Sequence, residues 1–289
     1  MAKNGFTKKL KKYAALTSLA AGLVIFEPAF ERHYIPTDCS LNERVEQGIE
    51  TIEEYVRSLP KHAQERIESQ VKKYLQNGYV ESVWKNISNF VGVFEREAKE
   101  EGINPKILLA KAIVEAEHPK QVSSKGAAGQ FQFTKQTAME YGIKMDRYID
   151  ERFDPERSSD AAARELRRLI DRFENFEIAL MAYNWGEGKA RRKASKSFWD
   201  MQIGEIPKET YYHIPKVIAV AKMLEKPERY GLNLEKNEPE FMYYTTKNGD
   251  TLLKISKKIG RDFREIEELN PQIKNPNKIP AGIKIRYKS

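Results

Sequence analysis

The stretch KAIVEAEHPKQVSSKGAAGQFQF, residues 111–133, joins the end of an apolar helix to a glycine-rich and nearly uncharged loop. Asn104 and Pro105 suit the cap and the first turn of that helix, and Pro119 ends it. Glu115 therefore falls in the last turn, where the chain leaves the core and a cleft can reach it. The small residues of the loop would let a bulky ligand approach the backbone. The stretch thus predicts a helix-end carboxyl group beside a ligand-binding loop.

The expected surroundings of Glu115 suit proton transfer. Burial in apolar side chains favours the neutral form of a carboxyl group, and the C-terminal end of a helix disfavours negative charge. We therefore expect a raised pKa for Glu115, which would then hold a proton near neutral pH, as a general acid that cleaves a glycosidic bond must. Two alternatives remain open: Glu115 is an ordinary solvated residue, or Glu117 is the acid.

Composition limits the classes of function. A chain of 289 residues with 40% hydrophobic and 32% charged residues can form one medium domain and a small one. The net charge is +8, but five lysines against one glutamate in residues 1–30 supply half of it. The remaining charge is spread among many acids, so nucleic-acid binding has no support. No metal-ligand spacing and no phosphate-binding glycine loop occur, so we expect neither a metal nor a cofactor.

Residues 1–30 have the pattern of a signal peptide or membrane anchor, with a lysine cluster before an apolar run at 13–26. The run is shorter than the roughly 18 apolar residues of a clear membrane span. We expect an exported protein of the cell envelope, periplasmic or extracellular, with cleavage or membrane anchoring left open. An ordinary amphipathic or buried helix is the alternative. The single Cys39 cannot form an internal disulfide.

Residues 41–86 are predicted to form a helical N-terminal segment. In LNERVEQGIETIEEYVRSL, residues 41–59, apolar residues recur every three or four positions, which predicts a helix with one buried stripe and one solvated charged face. Pro60 is expected to begin a second helix. A further helix is predicted to end at Gly102.

The residues that follow Glu115 resemble those of the lytic transglycosylases of bacterial cell-wall metabolism. In that family a helix ends in a catalytic glutamate, and a proline, a serine, a Gly-Ala-x-Gly-x-x-Gln segment and Thr-Ala follow. Two further blocks are similar to the family, IALMAYNWGEG at 178–188 and IPKETYYHIPKVIA at 206–219. The first block is carried, in order, by Glu115, Pro119, Ser123, Gly126, Ala127, Gly129, Gln132, Thr137 and Ala138.

The resemblance implies a mainly α protein with a lysozyme-like transglycosylase domain at 87–226. It implies that Glu115 cleaves the β-1,4 bond between N-acetylmuramic acid and N-acetylglucosamine of peptidoglycan, and that a 1,6-anhydro sugar forms. Glu115 would act first as acid and then as base, helped by the acetamido group of the substrate. The implied substrate-binding residues are Ser123, Gly129, Gln132, Tyr183, Asn184, Tyr212 and His213.

Three departures from the family pattern keep other functions open. Ala116 replaces the usual serine, one residue is missing between Glu115 and Pro119, and His213 stands at the usual second tyrosine. A catalytically inactive protein that binds peptidoglycan or chitin is one alternative. A lysozyme-type hydrolase is another, and it would need a second carboxylate. The candidates for that carboxylate are Asp146, Asp150 and Asp154.

The C-terminal residues form a separate module. Two prolines, a glycine and alternating charges predict a linker at 227–241. Residues 242–288 predict a strand, a helix that starts at Asp250 and ends at Gly260, a second helix and a final strand. This βααβ module resembles a LysM domain, through YTTKNGDTLLKIS and LNPQI, and the resemblance implies binding of N-acetylglucosamine chains. A generic packing module is the alternative. The implied sugar-binding residues are Gly249, Asp250, Thr251, Asn277 and Ile279.

Overall fold

A computed structural model describes residues 51–115 and 122–289. The predicted segment 1–30, residues 41–50 and Glu117 lie outside these ranges. No helix in the described ranges is both long and apolar enough to cross a membrane. The helices are α1 Ile52–Ser58, α2 Lys61–Asn77, α3 Tyr79–Ile87, α4 Val91–Glu100, α5 Pro105–Glu115, α6 Lys135–Glu140, α7 Pro155–Phe173, α8 Phe176–Trp185, α9 Glu187–Arg191, α10 Lys208–Glu225, α11 Leu252–Ile259 and α12 Phe263–Leu269.

The N-terminal helical pattern is interrupted at Thr51, so the expectation of one unbroken helix over residues 41–59 is wrong there. The Thr51 backbone is extended, and its hydroxyl accepts a hydrogen bond from the Glu54 N–H while the Glu54 carboxylate accepts one from the Thr51 N–H. This capping box starts α1. Pro60 is the cap of α2, and the helix begins one residue later.

Helix α5 forms the centre of the helical domain, which comprises α1–α10. It packs against α4 and α10, α7 packs against α4 and α8, and α10 also contacts α2 and α8. Helix α5 is buried on nearly every side, as expected for a helix that is apolar all round. Asn104 caps it, with its Oδ1 accepting a hydrogen bond from the Lys106 N–H at 2.8 Å. The packing therefore holds Glu115, at the end of α5, against the other helices.

The C-terminal module consists of β1 (Phe241–Thr245), α11, α12 and β2 (Lys284–Lys288). The two strands pair antiparallel, with Tyr243 opposite Arg286. The cap of α11 is Thr251, one residue later than the expected Asp250. Gly260, with φ of +70°, ends α11 as predicted. The order strand, helix, helix, strand agrees with the sequence pattern.

The segment between α10 and β1 runs along the helical domain. It starts with a short 3₁₀ helix, Pro227–Tyr230. Further along, the Trp84 indole N–H donates to the Glu235 carbonyl at 2.8 Å, and Asn237 donates to the Ser88 hydroxyl at 3.0 Å. The predicted linker is therefore attached to the domain along its length. The described residues belong to one compact unit.

Candidate active site

Glu115 ends α5, and its carboxylate contacts two basic side chains. Lys111 Nζ lies 2.5 Å from Glu115 Oε1, and His213 Nε2 lies 3.0 Å from the same oxygen. The Glu115 side chain is 12% exposed, whereas that of Lys111 is fully buried. Lys111 and Glu115 lie four residues apart on α5, so they share one face of the helix. The carboxylate is thus accessible to solvent on one side and contacts Lys111 and His213 on the other.

Lys111 was not among the residues predicted from the sequence. Its ammonium group lies under Glu115 and 3.6 Å from the centre of the Tyr183 ring, a distance at which a cation is attracted to the π-face. A signal was present in the sequence: the only charge inside the apolar run ILLAKAIV stands four residues before Glu115. A buried lysine needs an anionic partner, and this spacing provides one.

The expectation of a raised pKa for Glu115 is wrong. Burial raises the pKa of this carboxyl group, but the charges of Lys111 and His213 and their hydrogen bonds outweigh burial and lower it well below its usual value. Burial also lowers the pKa of Lys111, although Glu115 opposes this. Burial favours the neutral form of this carboxyl group, whereas the two basic side chains that contact it favour the charged form.

His213 connects α10 to the end of α5. It is buried, and its contact with Glu115 joins residues that are 98 positions apart. Burial lowers the pKa of the imidazole, and Glu115 partly opposes this. Its other ring nitrogen, Nδ1, is buried without a hydrogen-bond partner among the described residues. The histidine therefore directly contacts the candidate acid, at the position where the family pattern has a tyrosine.

The loop of residues 122–133, here called the cleft loop, is shaped by its own backbone. Gly129 has φ of +78°, and a Cβ atom there would lie 1.8 Å from the Arg152 carbonyl oxygen. Glycine is thus required at this position for contact with the protein itself. Gln132 has φ of +50°, and its amide donates to the Gly129 carbonyl at 2.9 Å. Ser123 Oγ accepts a hydrogen bond from the Ala127 N–H at 3.0 Å.

Arg152 supports the cleft loop from below. Its Nη1 donates to the carbonyl oxygens of Gly126, at 2.8 Å, and Phe133, at 3.2 Å. The Asp150 carboxylate accepts hydrogen bonds from Arg152 Nε, at 3.0 Å, and Nη2, at 2.7 Å. Both side chains are buried. No sequence pattern indicated this role, because one arginine among many reveals nothing about its partners.

Other predicted substrate-binding residues lie on α8 and α10. Tyr183 donates a hydrogen bond to the Phe131 carbonyl at 3.3 Å, which joins α8 to the cleft loop. Asn184 Oδ1 accepts a hydrogen bond from Thr210 at 2.8 Å. Tyr212 lines a hollow of about 630 Å³ whose lining does not include Glu115. The structure thus groups Glu115, Tyr183 and His213 around Lys111.

The three aspartates considered as a second carboxylate are all engaged in local structure. Asp146 accepts hydrogen bonds from the N–H groups of Tyr148 and Ile149. Asp150 pairs with Arg152, and Asp154 caps α7. In the described ranges, no group of three or more His, Cys, Asp or Glu side chains is placed to hold a metal ion.

The predicted sugar-binding residues of the C-terminal module lie on two loops that meet. The Leu252 N–H donates to the Pro276 carbonyl at 2.8 Å, which brings residues 249–251 close to residues 277–279. Asp250 accepts hydrogen bonds from the Tyr244 hydroxyl and the Lys247 N–H, and Thr251 caps α11. Gly249 has φ of +82°, and Ile279 is buried. Several of these residues therefore have structural contacts of their own.

Comparison with known proteins identifies both parts of the chain. Residues 92–203 match the model of the transglycosylase SLT domain, and residues 244–287 match that of the LysM domain. Membrane-bound lytic murein transglycosylase D of Escherichia coli K12 is 31% identical over 181 residues, which are 59% of this chain and 39% of that protein. Peptidoglycan transglycosylase gp16 of Escherichia phage T7 is 32% identical over 142 residues, 48% of this chain and 11% of that protein.

Among solved structures, an inactive mutant of lytic transglycosylase Slt from Pseudomonas aeruginosa aligns with 62% of this chain and 32% of its own, at 19% identity and a TM-score of 0.41. The chain thus spans well under half the length of the relatives it matches. The family resemblance drawn from the sequence and the mainly α, lysozyme-like fold class with a small LysM module are confirmed. Residues 92–203 belong to the transglycosylase SLT domain family, and residues 244–287 are a LysM domain.

Proposed function

We propose that this protein is a peptidoglycan lytic transglycosylase that cleaves the β-1,4 bond between N-acetylmuramic acid and N-acetylglucosamine and releases a 1,6-anhydro sugar. The observation that carries the proposal is the Glu115 carboxyl group, which ends a buried helix of an SLT domain, reaches solvent on one side and contacts Lys111 and His213 on the other. One carboxyl group is sufficient for this reaction, because it acts first as an acid and then as a base.

The proton that Glu115 donates would come from Lys111. In the resting site the carboxylate and the ammonium group form an ion pair, and burial weakens the hold of Lys111 on its proton. A bound sugar would cover the exposed side of Glu115, and the loss of water favours the neutral forms of both groups. A proton then moves from Lys111 Nζ to Glu115 Oε1, and the total charge of the site does not change.

The cleavage step follows from this arrangement. The Glu115 proton passes to the glycosidic oxygen, the bond from that oxygen to the anomeric carbon breaks, and the acetamido oxygen of the substrate bonds to the anomeric carbon. The carboxylate of Glu115 then takes the proton of the sugar 6-hydroxyl group, whose oxygen displaces the acetamido oxygen. We expect His213 to keep the carboxylate oriented during both steps. The proposed sugar-binding residues remain Ser123, Gly129, Gln132, Tyr183, Asn184, Tyr212 and His213.

The proposal is tested by digesting peptidoglycan with the protein and identifying the ends of the products by mass spectrometry. Anhydro ends would support the proposal. Reducing ends would indicate a lysozyme-type hydrolase, and no new ends a protein that only binds the wall. Glu115→Gln should lower the rate at least about a hundred-fold, because an amide cannot donate the proton. Glu140→Gln, which alters an exposed carboxylate on α6, is the matched control and should retain full activity.

We also propose that the LysM domain binds the glycan strands of the wall and holds the enzyme on its substrate. The meeting of the loops around Thr251 and Asn277 supports a binding surface there. Asn277→Ala should reduce the fraction of protein that sediments with purified sacculi. Equal sedimentation of the two proteins would contradict the proposal.

Export to the cell envelope is proposed on the basis of residues 1–30 and of an insoluble extracellular substrate. Cell fractionation with and without these residues tests it. An unchanged distribution would count against export by this segment.

A further inference from the structure

The LysM domain shares its hydrophobic core with the SLT domain. Ile149, which precedes α7, is buried in one cluster with residues of α11, α12 and β2. Next to it, the Asp150 N–H donates to the Gln272 carbonyl and the Lys274 N–H donates to the Tyr148 carbonyl, both at 2.9 Å. The LysM members of the cluster are Leu252, Ile255, Ile266, Ile273, Ile279 and Ile285.

A buried arginine provides a second attachment. Arg286 on β2 is 2% exposed, and its Nη2 lies 3.3 Å from Asp154 and 3.2 Å from Glu156, at the start of α7. Its guanidinium group also lies over the rings of Phe90 and Phe241, which stack at 5.6 Å. A buried charge with two carboxylate partners fixes the relative position of the elements that carry it.

The attached segment is the one that supports the cleft loop. Asp150 contacts the LysM domain through its backbone N–H and holds Arg152 through its carboxylate. Arg152 in turn donates to the carbonyl oxygens of Gly126 and Phe133, and its own carbonyl packs against Gly129. The LysM domain is therefore connected, through the side chains of Asp150 and Arg152, to the two residues at the ends of the turn in the cleft loop, Gly126 and Phe133.

The cleft loop in turn contacts the surroundings of Glu115. Gln130 donates to the Ala112 carbonyl on α5 at 2.6 Å, and Tyr183, whose ring lies beside Lys111, donates to the Phe131 carbonyl. A change in the loop would thus move groups that border the Lys111–Glu115 pair. Displacements of about 1 Å in such a site can cost on the order of a hundred-fold in rate.

We infer that the LysM domain is a positioning element of the active site, in addition to any role as a wall anchor. This inference rests on the proposed function, because the effect of the LysM domain on catalysis is measured as turnover. A domain that acts only as a tether raises the local concentration of substrate and leaves kcat on small soluble substrates unchanged. A positioning element lowers kcat on every substrate when it is detached.

The experiment detaches the LysM domain in two independent ways in the full chain. Ile149→Asp places a charge in the shared core from the SLT side, and Ile255→Asp unfolds the LysM domain from within. Both should lower kcat on saturating soluble peptidoglycan fragments about ten- to a hundred-fold, with little change in KM. Ile149→Leu, which keeps the core apolar, and Lys257→Ala, on an exposed surface of α11, should retain wild-type kcat.

Hydrogen exchange gives a readout that does not depend on catalysis. The backbone N–H groups of Ala128 and Phe133 each donate to the carbonyl of the other residue, at 3.0 and 3.1 Å. In both aspartate variants these two amides should exchange with solvent faster than in the wild type, while the amides of α8 remain protected. Unchanged kcat and unchanged exchange in Ile255→Asp, with the LysM domain shown to be unfolded, would overturn the inference. If the wild type released no product, the proposed function would fail, and the exchange measurement would still decide whether the LysM domain positions the loop.

Discussion

Glu115→Gln is the obvious inactive variant, and the structure predicts that it will also be less stable. The change removes the carboxylate that pairs with Lys111, whose side chain is fully buried. A buried ammonium group that loses its anionic partner either stays charged at a cost or gives up its proton. Removal of one partner of a buried ion pair typically costs about 3–5 kcal/mol. We expect a loss near the lower value, about 3 kcal/mol, because the glutamine oxygen can still accept a hydrogen bond from Lys111.

The loss should depend on pH with a definite sign. Burial lowers the pKa of Lys111 in the folded protein below the roughly 10.4 of an unfolded lysine. Between these two values the unfolded state binds more protons, so the free energy of unfolding of the variant should rise with pH up to about 10. In the wild type the lowered pKa of Glu115 stabilises the fold above the usual glutamate range, and this contribution disappears only as the pH falls into the acid range.

The assay is urea denaturation of four proteins at several pH values from 6 to 10: wild type, Glu115→Gln, Lys111→Met and the double variant. The double variant replaces the pair by groups without charge, so it should be more stable than Glu115→Gln at pH 7. The cycle gives the coupling energy of the pair directly. A deficit for Glu115→Gln below about 1 kcal/mol that is constant from pH 7 to pH 10 would refute the view that Lys111 is a buried charge held by Glu115.

Three further predictions concern neighbouring groups. Lys111→Met should move the alkaline limb of the pH profile of kcat to lower pH, because only the Glu115 carboxyl group can then hold the proton. An unmoved limb would exclude Lys111 as the proton source. Burial lowers the pKa of His213, so the wild type should lose stability as the pH falls below the roughly 6.5 of an unfolded histidine, and His213→Tyr should weaken this dependence in melts from pH 4 to pH 8. Gly129→Ala should cost at least about 1–3 kcal/mol from backbone strain alone and reduce kcat, since its Cβ would overlap the Arg152 carbonyl; wild-type melting and activity would contradict this.

Local signals in the sequence were sufficient for much of the architecture. Asn104 and Pro105 marked the start of α5, Gly260 marked the end of α11, and the order of elements in the LysM domain followed from caps and periodicity. These features depend on a few adjacent residues and on the chemistry of the backbone, so they can be recognised without knowledge of the fold. The start of α1 at Thr51 was missed because hydrophobic periodicity reports which side is buried and does not report where a helix begins.

The contacts that define the site depend on packing between distant segments. Glu115 contacts His213 across 98 residues, and Arg152 contacts both ends of a turn that lie 26 and 19 residues before it. Apolar periodicity shows that a residue is buried, but the neighbours of a buried charge set its pKa, and those neighbours come from other helices. For this reason the sequence placed Glu115 correctly at a helix end but predicted the wrong direction for the shift of its pKa. The burial of Ile149 in the LysM core likewise depends on the packing of the two domains, which only the tertiary structure shows.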